Sequence, residues 1–224
     1  MPVAQAYAAA PAAWRAKKIS AALQKEFPNP QTALHFETPL QLLVAVCLSA
    51  QCTDARVNAI TPRLFERFPH AQSYAVAQEA EVASYIHSLG LFRNKAKNLV
   101  AMAKVLVAEY AAQVPTQRAQ LETLPGVGKK TAGVVSMHLG GSLAFPVDTH
   151  IARVAGRLGL SQHTHPSKIE MDLQKLFPPQ AWKESHLRLL LHGRHRCKAQ
   201  KPQCEACPLS TWCPRQGLPR STSL

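Results

Sequence analysis

The sequence predicts an all-α fold. Two observations point to it. The patterned segments repeat their apolar residues every three or four positions, the period of one helix face, and Pro and Gly punctuate the joints between them. Trp14 to Phe27 sets Trp14, Ile19, Ala22, Leu23 and Phe27 against Arg15, Lys17, Lys18 and Lys25, and Pro28 and Pro30 close it. Pro39 opens Leu40 to Leu48, which is apolar nearly all round and therefore central. Thr53 or Asp54 can cap a helix running to about Phe68. Ala71 to Ser88 reads as two short helices. Gly90 marks a turn, and the helix after it runs to about Ala112 with Leu99, Ala103, Leu106 and Tyr110 inside. A later helix ends at Phe177, Pro178 and Pro179 break it, and Ala181 to Gly193 forms another.

Composition narrows the function. The 224 residues are 46% hydrophobic, enough for one domain or two small ones with a sizeable core. Lys and Arg number 26 against 13 Asp and Glu, a net charge of +13 that suits a polyanionic partner. The longest apolar runs are far shorter than a membrane span, so no membrane partner is expected. Residues 1–13 are Ala-rich and lack a basic start, which reads as a disordered arm and not a secretory signal. Four of the six Cys crowd into the C-terminal stretch, and with no secretion signal that favours metal ligation over disulfides, in a reducing, cytoplasmic compartment.

The stretch from Leu121 to His150 holds the densest chemistry. Leu124-Pro125-Gly126-Val127-Gly128 lies between two apolar-patterned segments. Gly126 and Gly128 are expected to take backbone angles closed to other residues, and Pro125 to stop the preceding helix near Leu124. A second helix then starts near Lys129 and runs to Leu139. Its first-turn N–H groups face outward with the turn's own, a ready site for a phosphate oxygen, and Lys129 and Lys130 add charge there. That helix is roughly 16 Å long at ~1.5 Å per residue. The irregular run from Gly140 to Val147 can span up to about 26 Å. Asp148, reading as the N-cap of the next helix, can thus return to the start of the hairpin's second helix and meet Lys130. Lys130 is expected to have its pKa lowered by the helix dipole, as an amine nucleophile requires.

Cys197, Cys204, Cys207 and Cys213 are spaced C-x6-C-x2-C-x5-C within a polar, Pro-rich loop that cannot make a core. Four thiolates suit either Zn or a [4Fe–4S] cluster, and ligand count does not decide. From Arg188 to Arg220 there are seven Lys or Arg and one acid, Glu205; Lys198 and Lys201 fall between the first two Cys. A bound metal would fold a basic loop onto phosphates.

LPGVGKKTAGVV followed by VDTH resembles the helix-hairpin-helix and catalytic-aspartate region of DNA glycosylases of the endonuclease III type, and the Cys spacing matches that family's cluster loop. The resemblance extends from Trp14 to Arg215. It implies a six-helix barrel domain with the hairpin at 32–142, and a discontinuous domain of 14–31 and 143–224 carrying a [4Fe–4S] cluster on the four Cys. It implies a DNA glycosylase and abasic-site lyase that removes oxidised pyrimidines from duplex DNA, with Lys130 attacking C1′ and Asp148 assisting. Damaged or abasic duplex DNA would be the partner, and the enzyme a nucleoid-associated monomer. LSAQCTD is similar to the family's LLSAQATD, in which the Gln enters the DNA; Gln51 takes that position and Cys52 departs from the usual Ala. LGLFRNKAKNL is similar to GLYxxKAxNI, where leucines wedge into the duplex; Leu89 and Leu91 match, beside basic Arg93, Lys95, Lys97 and Lys104. Gly126, Gly128, Lys129, Thr131, Lys198 and Lys201 complete the expected DNA contacts, and Glu122 and His150 align with polar residues near the family's active site.

Two other readings fit parts of the chain. Adenine-mismatch glycosylases share the hairpin, the Asp and the cluster, but lack the lysine and carry a further C-terminal domain. A non-catalytic DNA-binding module could use the hairpin as a grip with Zn in the Cys loop.

Overall fold

A computed structural model describes residues 10–141 and 144–218. Residues 1–9 of the expected arm lie outside the described residues; Ala12 and Ala13 belong to the first helix. The described residues form eleven α-helices and two 3-10 turns, in two compact units: Thr32–Ala144, and Met1–Gln31 with Phe145–Leu224. Among the described residues, no helix is long and apolar enough to cross a membrane.

The unit Thr32–Ala144 holds α2 (Pro39–Leu48), α3 (Asp54–Arg67), α4 (Ala71–Ala75), α5 (Glu79–Ile86), α6 (Phe92–Glu109), α7 (Arg118–Glu122) and α8 (Lys129–His138). Thr38 caps α2, its hydroxyl accepting from the Gln41 N–H at 3.2 Å, with Pro39 in the first turn. Because α2 is apolar all round, Leu42, Leu43, Val44, Ala45, Val46 and Leu48 are all buried, and α3, α6 and α8 pack around it. Each such Leu or Val side chain removed from water contributes about 1.5–3 kcal/mol. Thr53, of the two candidate caps, is the one that caps α3. Helix α6 stops at Glu109, short of Ala112, because Ala111 and Ala112 turn left-handed at φ 50° and 63°.

The second unit holds α1 (Ala12–Glu26), α9 (Thr149–Arg157), α10 (Pro166–Leu176) and α11 (Trp182–His195). Ile19, Leu23, Phe145, Ile151, Val154, Leu173 and Leu189 make its core. Buried arginines brace it through backbone carbonyls. Arg15 donates to Gly159 O at 2.6 Å, and Arg188 to Phe27 O at 3.1 Å.

The hairpin is built from the inside out. Leu121, Leu124 and Val127 fold into the core of their unit, and Val127 N–H closes the turn on Leu124 O at 3.0 Å. Turning both Leu124 and Val127 inward within four residues requires the left-handed φ of 77° at Gly126, where a Cβ would stand 2.7 Å from Asn98 Cβ of α6. Gly128 corrects the expectation. Its φ of −85° is ordinary, and nothing lies within 4 Å of a Cβ built there. The two glycines therefore separate in a stability assay: Gly126→Ala lowers unfolding free energy by about 2–4 kcal/mol, from left-handed strain plus overlap, and Gly128→Ala by less than about 1 kcal/mol. Equal losses in denaturant melts would show that the turn is held some other way.

Candidate functional site

The hairpin presents α8 by its N-terminus. Gly128 is the N-cap and has no side chain with which to cap, so the first-turn N–H groups are left to an outside acceptor. Gly126, Gly128, Lys129 and Lys130 are exposed and Thr131 is partly so. Dipole, open N–H groups and two lysines converge on the same few ångströms, an arrangement suited to an oxyanion of a phosphate. Lys130 belongs to the first turn of α8, its side chain free in solvent. Glu122, one turn before the hairpin, pairs with Arg118 at 2.9 Å.

Asp148 lies in the other unit. It caps α9: Oδ1 accepts the Ile151 N–H at 2.8 Å. That bond fixes the carboxylate's direction through one oxygen only, and the side chain is partly exposed. His150, on the first turn of α9, has its Nδ1 3.2 Å from an Arg153 guanidinium nitrogen.

Gln51 and Leu91 share an unusual trait. Both have left-handed backbones, φ 56° and 57°, without being glycine, and both are exposed, Leu91 to 57%. Such a conformation costs about 1–2 kcal/mol for a residue with a Cβ. Leu89 does not join them. It is 2% exposed and belongs to the core around α2, so the expected pair of wedging leucines reduces to Leu91. Lys95 is likewise no surface phosphate grip; it is 8% exposed and turned inward.

The four Cys gather as the spacing suggested. Cys197, Cys204, Cys207 and Cys213 line one pocket, with Arg157 and His192 among its walls. The loop between the first two is held by arginines that the sequence did not single out. Arg157 donates to Lys198 O at 2.6 Å and Ala199 O at 3.0 Å, and Arg153 to Cys197 O at 2.9 Å and Gly193 O at 2.8 Å. Both sit on α9 one turn apart, a spacing that puts them on one face, which is the signal that could have found them. Lys198 and Lys201 are left exposed. His192, 1% exposed, has Nε2 3.7 Å from Cys207 Sγ and Nδ1 3.4 Å from Glu26 Oε2.

The pocket's chemistry calls for a cationic centre. The Cys213 thiol is pushed up to about 11, chiefly by burial and also by the neighbouring Cys197, Cys207 and Cys204, with the Arg215 backbone N–H partly offsetting them. Cys207 is raised too, by burial first and then by Cys197, Cys204 and Glu26, against the Leu209 backbone N–H. Thiols that oppose one another's ionisation become four thiolates only when metal charge stands among them. Four Cys around one pocket supply the four thiolates that a [4Fe–4S] cluster or a Zn ion takes.

Comparison with known proteins agrees with this geometry. Residues 44–179 match the model described as "HhH-GPD superfamily base excision DNA repair protein", and 197–213 match the "Iron-sulfur binding domain of endonuclease III". The chain belongs to the endonuclease III family. It is 47% identical over 201 residues to endonuclease III of Synechocystis sp., covering 89% of this chain and 92% of that one. With the Bacillus subtilis endonuclease III it shares 42% identity over 195 residues, 87% and 89% of the two chains. Among solved structures, a trapped endonuclease III–DNA covalent intermediate superposes with a TM-score of 0.84 at 41% identity, covering 89% of this chain and 96% of that one. A non-covalent endonuclease III–DNA complex gives the same score and identity, with 89% and 95% covered.

As in that family, the Cys loop binds an iron–sulfur cluster. Purified protein is therefore expected to be brown, absorbing near roughly 400 nm. Cys204→Ser should lose that band and open 197–213 to proteolysis. A colourless native protein carrying Zn would reverse the assignment.

Proposed function

We propose that this chain is a DNA glycosylase and abasic-site lyase of base excision repair, acting on oxidised pyrimidines in duplex DNA. One observation carries the reading: an exposed lysine, Lys130, opens the phosphate-facing helix of a hairpin in a chain 41% identical to an endonuclease III trapped covalently on DNA. The damaged nucleotide leaves the stack at a cost of a few kcal/mol, offset by phosphate contacts along the basic surface. The hairpin N–H groups and Lys129 hold a phosphate, with Thr131 beside them. Gln51 and Leu91 enter the gap the nucleotide leaves.

The Lys130 amine then attacks C1′. A nitrogen–carbon bond forms as the bond from sugar to base breaks, and the base leaves with a proton. The sugar ring opens to a Schiff base. Loss of a C2′ proton expels the 3′ phosphate by β-elimination, and hydrolysis of the imine frees the lysine. Asp148 steadies positive charge on the sugar and relays protons. Cys197, Cys204, Cys207 and Cys213 hold a [4Fe–4S] cluster that folds Lys198 and Lys201 into a phosphate-facing loop. The enzyme works as a monomer on the cytoplasmic nucleoid.

Borohydride reduction in the presence of an abasic duplex should give a covalent adduct with the native protein and only background with Lys130→Ala. Asp148→Asn keeps a good N-cap residue, so its melting temperature and DNA affinity should stay near native while turnover falls about 10²- to 10⁴-fold. Full turnover would reduce Asp148 to a cap. Lys198→Ala and Lys201→Ala should each lower the slope of log affinity against log salt by about 1. An unchanged slope would remove the loop from the DNA interface.

A further inference from the structure

One buried residue contacts both of the left-handed turns that carry Gln51 and Leu91, one through its side chain and the other through its backbone. Lys95, one turn into α6, donates through Nζ to Leu48 O at 2.9 Å and to Cys52 Sγ at 3.2 Å. Its own backbone N–H bonds Leu91 O at 3.0 Å. Lys95 therefore touches the last residue of α2, the residue after Gln51, and Leu91 itself. Arg56 adds a second tie across the same gap, donating to Ser88 O at 3.1 Å.

The chemistry of this junction is consistent with a braced one. Burying a lysine is costly unless its donors are met. Here one partner is a carbonyl at a helix C-terminus, where the dipole favours a cation. The other is a thiol whose tendency to ionise is changed by the contact: burial pushes Cys52 up, but the Lys95 hydrogen bond, the Gly90 backbone and the charges of Lys95 and Arg56 together hold it below its ordinary value. Cys52 is thus linked to both sides, to Lys95 of α6 and to the Gly90–Leu91 turn. A non-glycine residue does not remain left-handed on an exposed turn unless its surroundings over-determine it. Lys95 is the group that touches both surroundings.

We propose that Lys95 is a positioning residue: rooted on the first turn of the helix that Leu91 opens, its side chain ties that turn to Leu48 O and Cys52 and so sets the spacing and aim of Gln51 and Leu91, so that both enter the duplex together when a nucleotide is extruded. This rests on the reading of Gln51 and Leu91 given above. Cys52 supplies the sulfur acceptor on the Gln51 side. Lys95 touches neither sugar nor base, and its effect appears only where a second strand must be displaced.

The test compares borohydride-trapping rates on one abasic oligonucleotide, single-stranded and in duplex. Lys95→Met should lower the duplex rate about 10- to 100-fold and leave the single-stranded rate within about twofold. Cys52→Ala, which keeps Leu48 O, should show the same selectivity at about two- to tenfold, the worth of one hydrogen bond. A merely structural role lowers both rates together, and that outcome overturns the proposal, as does an unchanged duplex rate. If Lys95→Met does not fold, judged by its thermal transition, Lys95→Gln reads the same ratio. The double variant Gln51→Ala/Leu91→Ala separates the two readings. If it is selective for duplex and Lys95→Met is not, the positioning role alone fails. If the double variant loses nothing on duplex, the insertion of Gln51 and Leu91 fails and the role of Lys95 with it.

Discussion

The constraint on which the rest depends is a helix that must show its N-terminus to solvent while the residues just before it are buried. Leu121, Leu124 and Val127 lock the hairpin to its core. Only a reversal of backbone hand at Gly126, hard against Asn98, lets Val127 turn in and Gly128 turn out within two residues. Once that turn is set, the exposure of Lys129 and Lys130 follows without further design, because the first turn of α8 points where the turn points it. The side chain of Lys130, proposed above as the nucleophile, is exposed, but its Cα is fixed by the apolar burial of the residues before it. Precision here comes from the core and not from contacts to the lysine itself.

The cluster loop solves a different problem. Residues 197–213 carry too little apolar surface to order themselves, and Leu209 is the deepest apolar anchor among them. Order is supplied from two directions. Arg153 and Arg157 collect the carbonyls of the first part of the loop. The thiols collect around the metal. Either alone leaves the loop half-built: the guanidinium bonds fix only 197–199, and the thiols resist ionising together without iron. The exposed lysines ride on that double anchorage, which gives a basic surface loop a definite shape it could not keep unaided.

Helix periods, Pro and Gly punctuation, and cap residues made most of the fold legible, since each is a local effect. What escaped was set by tertiary contact. Gly128 looked as special as Gly126, yet the need for a missing Cβ depends on Asn98, some 30 positions away. Leu89 and Leu91 look alike in sequence; only the local turn at 88–91 shows that one faces the core and the other solvent. Lys95 was the most readable of the missed residues. It lies four positions before Leu99 on the same stripe as Met102 and Leu106, all buried. A lysine on an apolar stripe is a buried lysine unless the stripe ends before it, and the charge pattern of its neighbours Arg93 and Lys97 concealed that. The exposed Lys130 on the first helical turn and the gathering of the four Cys were legible for the opposite reason, since both follow from residue type and spacing.

The net charge of +13 also divides differently than the sequence suggests. Arg15, Arg153, Arg157, Arg188 and Lys95 direct their donors at backbone carbonyls inside their own units. Carbonyls are neutral, so these bonds do not cancel the charges, which still contribute to the field that draws a polyanion from a distance. The donors spent on these carbonyls are not available to a phosphate. Counterion release on binding counts only phosphates neutralised at contact, whereas association rate responds to the whole field.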